Sequence, residues 1–230
     1  MNLSEFLKNN FKRRFVINLK RREDRYVEFL NRIPFDSDVC ERFIATDGKD
    51  LKNKHHYSEN PFVMGCHMSH KNILIKVIED ETLNDNDLII IFEDDVFFND
   101  NFESELKNTI PILRKLEPNF ILYIGGRFQK NFKPSSFKEW ELIDLKLYNK
   151  KGDYKTIKSS DYDRTTNVII LTKHACKEII NKTKDVKFSE PIDSLYNNIR
   201  KYIPVIKIYD IFPHLCYSPI NYKSDIQIKF

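Results

Sequence analysis

The sequence predicts a mixed α/β fold in which a mainly parallel sheet is flanked by helices, and two observations lead to this prediction. Short apolar runs rich in β-branched residues alternate along the chain with segments whose apolar residues recur at helical spacing. A chain of 230 residues is also long enough for one sizeable core, and it contains no internal repeat. We therefore expect a single domain over residues 1–230, with residues 1–12 as an N-terminal extension.

The first third of the chain contains two predicted strands and two predicted helices. Phe15–Leu19 is an apolar run that leads into a basic segment and a helical pattern, and Arg42–Ala45 predicts the second strand. The next predicted helix has an apolar stripe made of Ile73, Leu74, Val77 and Ile78. This stripe would place Ser69 and His70 in the first turns of that helix.

The strongest strand prediction is Leu88–Phe92, five apolar residues that run directly into Glu93, Asp94 and Asp95. Such a run fits a strand buried on both faces of a parallel sheet. Because side chains alternate along an extended segment, Glu93 and Asp95 should share one side while Asp94 points away. Three carboxylates so close together repel one another, so the pattern indicates either a divalent cation site or an acidic cap of the following helix.

The remaining elements follow the same alternation of strands and helices. A helix should begin near Phe102, and Pro111 is expected to end or kink it. The polar stretch at 127–163 contains scattered aromatic residues, and a loop over an active site and a small edge hairpin fit it equally. The other predicted strands are Phe120–Ile124, Val168–Leu171 and Val205–Tyr209, with helices after Leu171 and near Pro191.

Composition and charge lower the expectation for several classes of function. The net charge is +4, from 38 basic and 34 acidic residues, which is too nearly balanced for a general nucleic-acid binder. The chain has five glycines and contains neither a GxGxxG nor a GxxxxGK pattern, which argues against a Rossmann dinucleotide enzyme and a P-loop NTPase. We therefore expect no nucleic-acid partner.

The cysteines and the N-terminus both bear on where in the cell the protein is expected. The four cysteines are widely spaced and form no CxxC pair, as expected for reduced thiols. Cys66, His67 and His70 lie close in sequence, but no second ligand pair accompanies them, so structural zinc is not predicted. The N-terminus lacks the apolar core of a signal peptide, and no segment has the length of a transmembrane helix. We expect a cytoplasmic protein without an integral membrane segment, and the sequence leaves its oligomeric state open.

A basic cluster follows the first predicted strand. Seven basic residues and two acidic ones lie between Lys12 and Arg25, and several fall in the turn that leads to the next helix. Ligands of open α/β sheets bind outside the carboxyl ends of the strands, and helix N-termini favour anions. The cluster therefore indicates either a phosphate site or a solvated face. Together with the acidic strand end, it would suit a ligand that carries phosphates and needs a metal.

Several short motifs occur in a fixed order between about Phe15 and Pro213. They are Ile17–Arg22 with Asp24 and Arg25, Ala45–Gly48, Gly65 and Cys66 with Ser69 and His70, Phe92–Val96, Leu122–Gly125, Thr172–Ala175, and Pro191–Asp193. In this order they resemble glycosyltransferase family 25. That family includes bacterial lipooligosaccharide galactosyltransferases and procollagen galactosyltransferases.

The resemblance implies a GT-A-like, Rossmann-like fold and an inverting glycosyltransferase. The expected reaction moves a hexose, galactose or glucose, from a UDP-sugar to a hydroxyl group of a glycan or protein acceptor. It also implies Mn²⁺ or Mg²⁺, because a metal held by carboxylates would neutralise the charge that develops on the diphosphate leaving group. The implied metal ligands are Glu93, Asp95 and His214.

The resemblance also implies roles for the other candidate residues. Asp193, in the Pro-x-Asp motif, would take the proton of the acceptor hydroxyl, with Glu190 as the reserve. At a helix start, Asp193 could equally complement the helix dipole. The arginines would contact the diphosphate, and the other residues the nucleoside or the pocket wall. The implied donor-binding residues are Asn18, Leu19, Arg21, Arg22, Arg25, Thr46, Asp47, Ser69, His70 and Asp94.

Two segments, Pro61–Met64 and Thr165–Val168, depart from the family pattern near the expected sugar or acceptor pocket, which leaves the donor sugar open. Two other functions also fit the sequence. One is a non-catalytic relative that binds a sugar or a partner. The other is a metal-dependent phosphoesterase, which would need more ligands for two metals than the sequence supplies.

Overall fold

The computed structural model describes residues 1–51, 60–128, 141–144, 162–163, 165–183, 191–212 and 214–219. Glu190 and most of the stretch at 127–163 lie outside these residues. The helices are α1 (Leu3–Asn10), α2 (Glu23–Arg32), α3 (Gly48–Leu51), α4 (Pro61–Glu79), α5 (Phe102–Leu113), α6 (Lys173–Thr183) and α7 (Ile192–Asn198). The strands are β1 (Phe11–Asn18), β2 (Glu41–Ile44), β3 (Leu88–Glu93), β4 (Phe97–Phe98), β5 (Phe120–Tyr123), β6 (Gly125–Phe128), β7 (Glu141–Asp144), β8 (Tyr162–Asp163), β9 (Val168–Thr172), β10 (Lys207–Phe212) and β11 (Cys216–Pro219).

The main sheet has seven strands in the order β2-β1-β3-β9-β5-β10-β7. Strand β1 pairs in parallel with β2 and β3, and β5 pairs in parallel with β10. Strand β9 runs antiparallel between β3 and β5, and β7 is an antiparallel edge strand beside β10. Strands β2, β1, β3, β5 and β10 therefore point the same way. This confirms the predicted mixed α/β fold with a mainly parallel sheet.

Helices cover both faces of the sheet, as the unbroken apolar strands predict. Along β3, Ile90 and Phe92 belong to the core cluster that packs against α1, α2 and α5. Ile89 and Ile91 face the opposite cluster, which packs against α4, α6 and α7. By the same alternation Glu93 faces the side of α4. The direction of this carboxylate is therefore fixed by the buried strand before it.

The carboxyl ends of three neighbouring strands meet at one edge of the sheet. Asn18, the last residue of β1, pairs with Ile44 of β2, while Ile17 pairs with Glu93 of β3. Open α/β sheets bind ligands at this edge. The strand order thus brings the basic turn after β1 next to the acidic segment after β3.

A second sheet has four strands in the order β4-β11-β6-β8. Strand β11 pairs in parallel with β6 and antiparallel with β4, so the C-terminal segment lies directly beyond the acidic turn. Gly125 and Gly126 follow directly after the predicted strand Phe120–Ile124. In the structure the two glycines open β6, because the chain leaves one sheet at Ile124 and enters the other.

Two element boundaries differ from the sequence-based expectation. Strand β1 begins at Phe11, four residues early, because the charges of Arg13 and Arg14 are satisfied by Asp80 and by backbone carbonyls. Helix α4 begins at Pro61, where the side chain of Asn60 caps the amides of the first turn. The placement of Ser69 and His70 in the first turns was therefore wrong, since both lie in the third turn.

The N-terminal residues form α1, which precedes the first strand. The Asn2 side chain accepts a hydrogen bond from the Glu5 amide, and the Glu5 side chain accepts one from the Asn2 amide, which forms a capping box. Leu3, Phe6 and Leu7 are buried in the core cluster of that sheet face. Within the described residues, no helix combines the length and the apolar character needed to cross a bilayer.

Gly65 lets α4 approach the loop after β2. A Cβ atom at Gly65 would lie 2.6 Å from the carbonyl oxygen of Thr46 and 2.9 Å from the amide nitrogen of Gly48. Both are backbone atoms, so a larger side chain cannot be accommodated by a rotamer change. The close contact holds the loop at the edge where the strands end.

Gly65→Ala should therefore lower the free energy of unfolding by about 1–3 kcal/mol, as overpacking usually does. The direction of the stability change tests the contact, because replacing an unobstructed helical glycine with alanine should instead raise the free energy of unfolding by about 1 kcal/mol. Urea denaturation of the wild type and the variant measures the difference. A variant more stable than the wild type would show that the loop does not depend on this contact.

Candidate active site

The three carboxylates after β3 have different partners. The strand ends at Glu93, and a turn closes with a hydrogen bond from the Val96 amide to the Glu93 carbonyl at 3.3 Å. Strand alternation therefore stops before Asp94 and Asp95. The expectation that Asp94 points away from Asp95 was wrong, since both approach the guanidinium of Arg25.

Glu93 points toward α4. Its Oε1 lies 3.0 Å from Nε2 of His70 and accepts a hydrogen bond from the Thr166 hydroxyl at 2.7 Å. His70 is fully buried, and its ring packs edge-on against Tyr196 of α7 at a centroid distance of 6.1 Å. These contacts fix one oxygen of Glu93 from both sides.

Asp94 is held in a buried network rather than facing open solvent. It forms an ion pair with Arg25 and accepts a hydrogen bond from Nδ2 of Asn18 at 2.6 Å. The same Nδ2 donates to the carbonyl of Arg22 at 3.0 Å, and Oδ1 of Asn18 accepts from Arg42 at 2.5 Å. The Asn18 amide is thus occupied at both ends, which suits positioning of Asp94 better than direct contact with a nucleoside.

Burial raises the pKa of Asp94 from 3.8 to about 7, against the lowering effect of Arg25. A folded state with the higher pKa binds the proton more tightly than the unfolded chain does. The free energy of unfolding should therefore decrease as the pH rises from about 4 to about 7. Asp94→Asn should make this decrease smaller, because asparagine has no proton to release.

Urea denaturation of metal-free protein across that pH range tests the expectation for Asp94. Asp38→Asn is the matched control, since Asp38 is an exposed acid paired with Lys8, away from the cleft. The control should keep the wild-type slope of stability against pH. Equal slopes for the wild type and Asp94→Asn would show that Asp94 does not titrate in this window.

Asp95 is positioned by the C-terminal strand. Its Oδ1 accepts a hydrogen bond from the Ser218 hydroxyl at 2.9 Å, and its Oδ2 lies 3.8 Å from Arg25. The Ser218 oxygen itself accepts from Nδ2 of Asn167 at 3.1 Å, which directs the hydroxyl proton toward Asp95. Asp95 is buried, so this orientation is held without help from bulk water.

The basic turn contributes one arginine to the carboxylates. Arg25 on α2 is buried between Asp94 and Asp95. Arg21 instead pairs with Asp47 at 2.5 Å, and Arg22 pairs with Asp24 at 2.8 Å. Arg21 and Arg22 are not among the residues that line the cleft, so their diphosphate contact stays a prediction.

The loop after β2 forms the opposite wall of the cleft. The Ser69 hydroxyl donates to the Gly65 carbonyl at 2.7 Å and accepts from the Thr46 amide at 2.9 Å. Ser69 therefore ties the loop to α4. Asp47 accepts a hydrogen bond from the Lys49 amide at 2.9 Å, in addition to its pairing with Arg21. Thr46 lines the cleft, whereas Asp47 is not among its lining residues.

Asp193 lies at the start of α7, near Cys66 of the cleft wall. Burial raises the pKa of the Cys66 thiol well above its ordinary value, and the charges of Glu93, Asp193, Asp95 and Asp94 raise it further. Asp193 is therefore one of four carboxylates whose negative charge acts on the Cys66 thiol. The Oδ1 of Asp193 also accepts a hydrogen bond from the Ser194 amide at 2.9 Å. Glu190, the reserve base, lies outside the described residues.

His214 is buried just before β11, and its carbonyl accepts from the Asn99 side chain at 2.5 Å. Three residues separate it from Ser218, which contacts Asp95, and the first of them forms a bend before β11. His214 is not among the residues that line the cleft. Its role as a metal ligand stays a prediction.

Most of these groups line or support one cleft, and the sequence did not predict all of the residues that do so. Phe62 and Cys66 line it from α4, and Thr166 and Ser218 hold its carboxylates. Phe62 and Thr166 lie in the two segments that were expected near the sugar or acceptor pocket, and Cys66 belongs to a family motif. Ser218 lies far from the acidic segment in the sequence, and no pattern there indicated its contact with Asp95. The described lining consists of Ile17, Asn18, Leu19, Arg25, Ala45, Thr46, Gly48, Phe62, Cys66, Ser69, Glu93, Asp94 and Asp95.

The donor set of the cleft fits a hard divalent cation. Glu93, Asp94 and Asp95 supply carboxylate oxygens, which suit Mg²⁺ and Mn²⁺. Arg25 is the one basic side chain in the described lining, and it offsets one of the negative charges that Glu93, Asp95 and, above its pKa of about 7, Asp94 carry. Asp95 and Glu93 would hold the cation, while Asp94 is engaged by Asn18 and Arg25.

Comparison with known proteins gives a family match. Residues 11–196 match the model of glycosyltransferase family 25, described as an LPS biosynthesis protein family. No curated protein matches the chain.

Among solved structures, 4-diphosphocytidyl-2C-methyl-D-erythritol synthase from Anaerococcus prevotii is 14% identical, with 97% of this chain and 81% of that chain covered and a TM-score of 0.44. The inositol-1-phosphate CTP transferase from T. maritima is 15% identical, with 94% and 73% covered and a TM-score of 0.38. Both likenesses are low, so neither enters the functional argument.

Proposed function

The chain belongs to glycosyltransferase family 25 and is a glycosyltransferase, and on that premise we propose that it uses a UDP-sugar and a divalent metal. The donor sugar is a hexose, galactose or glucose, and the acceptor is a hydroxyl group of a glycan or protein. Transfer proceeds with inversion at the anomeric carbon. The metal is Mn²⁺ or Mg²⁺, and the fold is of the GT-A type.

The charge of the cleft is the observation that carries the proposal. Three carboxylates and one arginine line it, so without a cation it would repel a nucleoside diphosphate. Asp95 and Glu93 would hold a divalent cation, which would supply the missing positive charge beside the diphosphate leaving group. Arg25 then adds a fixed positive charge beside the same group, buried where its field is weakly screened.

The walls of the cleft suggest how the donor is oriented. Ile17, Leu19 and Ala45 give an apolar surface at the ends of β1 and β2, which suits the base and ribose. The loop at Thr46 is held in place by Ser69 and by the close approach of Gly65. Asn18 contributes indirectly, because it orients Asp94 and with it Arg25.

Asp193 is the proposed base. As the acceptor oxygen attacks the anomeric carbon, its proton passes to the Asp193 carboxylate. The bond from the anomeric carbon to the diphosphate oxygen breaks on the opposite side, and its electron pair leaves with the nucleoside diphosphate. Asp193 stands at the start of α7, close enough to raise the pKa of the Cys66 thiol in the cleft wall. This supports a position beside the cleft, within reach of a group bound there.

A thermal-shift comparison of UDP, GDP and CDP, each with and without Mn²⁺, tests the donor class. A ligand at 100 times its Kd adds about 2.7 kcal/mol of stability, which for a chain of this size is a shift of roughly 5–10 °C. We expect UDP with Mn²⁺ to give the largest shift, greater than UDP or Mn²⁺ alone. No shift with any of the three nucleotides would contradict the proposal.

A further inference from the structure

Three side chains with different ligand atoms converge at the inner wall of the cleft. The sulfur of Cys66, a ring nitrogen of His70 and a carboxylate oxygen of Glu93 all lie within 4.8 Å of one another. Cys66 and His70 are one helical turn apart on α4, so they project from the same face. Glu93 reaches them from the end of β3.

This spacing is close to what a tetrahedral metal site requires. Zinc bonds of about 2.0–2.3 Å at a tetrahedral angle place the ligand atoms about 3.4–3.6 Å apart. The observed contact between His70 Nε2 and Glu93 Oε1 is 3.0 Å, and the Cys66 sulfur lies within 4.8 Å of a ring nitrogen of His70 and of a carboxylate oxygen of Glu93. Small side-chain movements would therefore bring the three atoms to bonding distance of one ion.

The surroundings also suit a bound ion. The Thr166 hydroxyl holds Glu93 Oε1 from outside the triad, as hydrogen-bond donors often do for metal ligands. Nδ1 of His70 has no hydrogen-bond partner among the described residues, so it is available to carry the ring proton when Nε2 exchanges its contact with Glu93 Oε1 for the ion. Cys66 and Glu93 line the cleft, which gives an ion a route to the site.

We infer that Cys66, His70 and Glu93 form a site for one thiophilic divalent cation of the Zn²⁺ class, with its fourth position open to the cleft. Sulfur and nitrogen donors select such ions, whereas the oxygen donors of Asp95 favour Mg²⁺ or Mn²⁺. The two sites are therefore distinguished by the chemistry of their ligands, although they share Glu93.

Sharing Glu93 has a consequence that rests on the proposed function. An ion bound by Cys66 and His70 draws Glu93 toward α4 and away from the cation that Asp95 holds. Zn²⁺ should then inhibit Mn²⁺-supported transfer, and added Mn²⁺ should relieve that inhibition only weakly, since Mn²⁺ competes poorly for thiolate.

Cobalt spectroscopy of the nucleotide-free protein tests the site without relying on activity. Co²⁺ bound by a thiolate gives a sulfur-to-metal charge-transfer band in the near ultraviolet, and we expect this band to saturate at one Co²⁺ per chain. Cys66→Ser should abolish the band. Glu93→Gln should weaken Co²⁺ binding by more than about 10-fold. Cys40→Ser is the control, because Cys40 is buried in the core cluster of the opposite sheet face and should leave the band unchanged.

The cobalt band and the UDP thermal shift test the Cys66 site and the proposed function independently of each other. The absence of a charge-transfer band in the wild type would overturn the inference, and so would a band that survives Cys66→Ser. Asp95→Asn should keep the cobalt band even though it is expected to lose the UDP and Mn²⁺ shift. Loss of the UDP shift in the wild type would count against the proposed donor and leave the cobalt result standing.

Discussion

Asp95→Asn should abolish the thermal shift with UDP and Mn²⁺ and lower glycosyl transfer by at least about 10³-fold. The expectation follows from charge, because asparagine keeps the shape and the hydrogen bond from Ser218 but loses the negative oxygen that would bind the cation. Removing a single electrostatic contact to a developing charge commonly costs about 10²–10³ in kcat. Loss of the metal removes more than one such contact. Thermal shift and donor-turnover assays measure the two effects.

Asp38→Asn is the control for Asp95→Asn. Asp38 is exposed and pairs with Lys8 on the opposite side of the core from α4, so the same chemical change there should leave both assays as in the wild type. A variant Asp95→Asn that still binds UDP in a Mn²⁺-dependent way would contradict the assignment of Asp95 as the main metal ligand.

Asp193→Asn should separate binding from transfer. Donor and metal binding should persist, because the cation is assigned to Asp95 and Glu93. Transfer to the acceptor should decrease by about 10²–10⁴-fold, the usual contribution of a positioned general base. The UDP and Mn²⁺ thermal shift measures the first effect, and single-turnover transfer measures the second.

The competing role of Asp193 is to stabilise the N-terminus of α7. In that case Asp193→Asn would lower the free energy of unfolding by about 0.3–1 kcal/mol and leave transfer unchanged. Glu103→Gln is the matched control, since Glu103 occupies the first turn of α5 and pairs with Lys107 outside the cleft. Glu103→Gln should lower the free energy of unfolding by a similar amount and leave the transfer rate unchanged. Equal transfer rates in both variants would remove Asp193 from the mechanism.

The sequence predicted the centre of the sheet well, for a physical reason. The runs at Leu88–Phe92, Phe120–Ile124 and Val168–Leu171 are apolar on both sides, and only a strand covered on both faces buries all of those residues. Their order and the acidic end of β3 then predicted the edge at which the cleft forms. These properties depend on local pattern, which a single sequence contains.

The finer geometry of the cleft depends on contacts between distant segments. Ser218 reaches Asp95 from 123 positions away, and Thr166 reaches Glu93 from 73 positions away. A short polar residue has no periodic pattern that would reveal such a contact. The same limit applies to the ion pair between Arg21 and Asp47, which the pattern of the basic cluster did not indicate.

The alternation argument for the carboxylates failed because it extended a strand past its last residue. It holds through Glu93, which faces α4 as Ile91 and Ile89 do. After Glu93 the chain turns, so Asp94 and Asp95 come together at Arg25. A period of two applies only where the ladder of backbone hydrogen bonds continues.

The most direct test of the central claim is an anomalous-scattering map of crystals grown with UDP and Mn²⁺. We predict one manganese peak within bonding distance of an Asp95 oxygen, with the diphosphate on the same ion and facing Arg25, and the base against the ends of β1 and β2. Bound UDP without manganese at Asp95, or a diphosphate placed outside this cleft, would contradict the account.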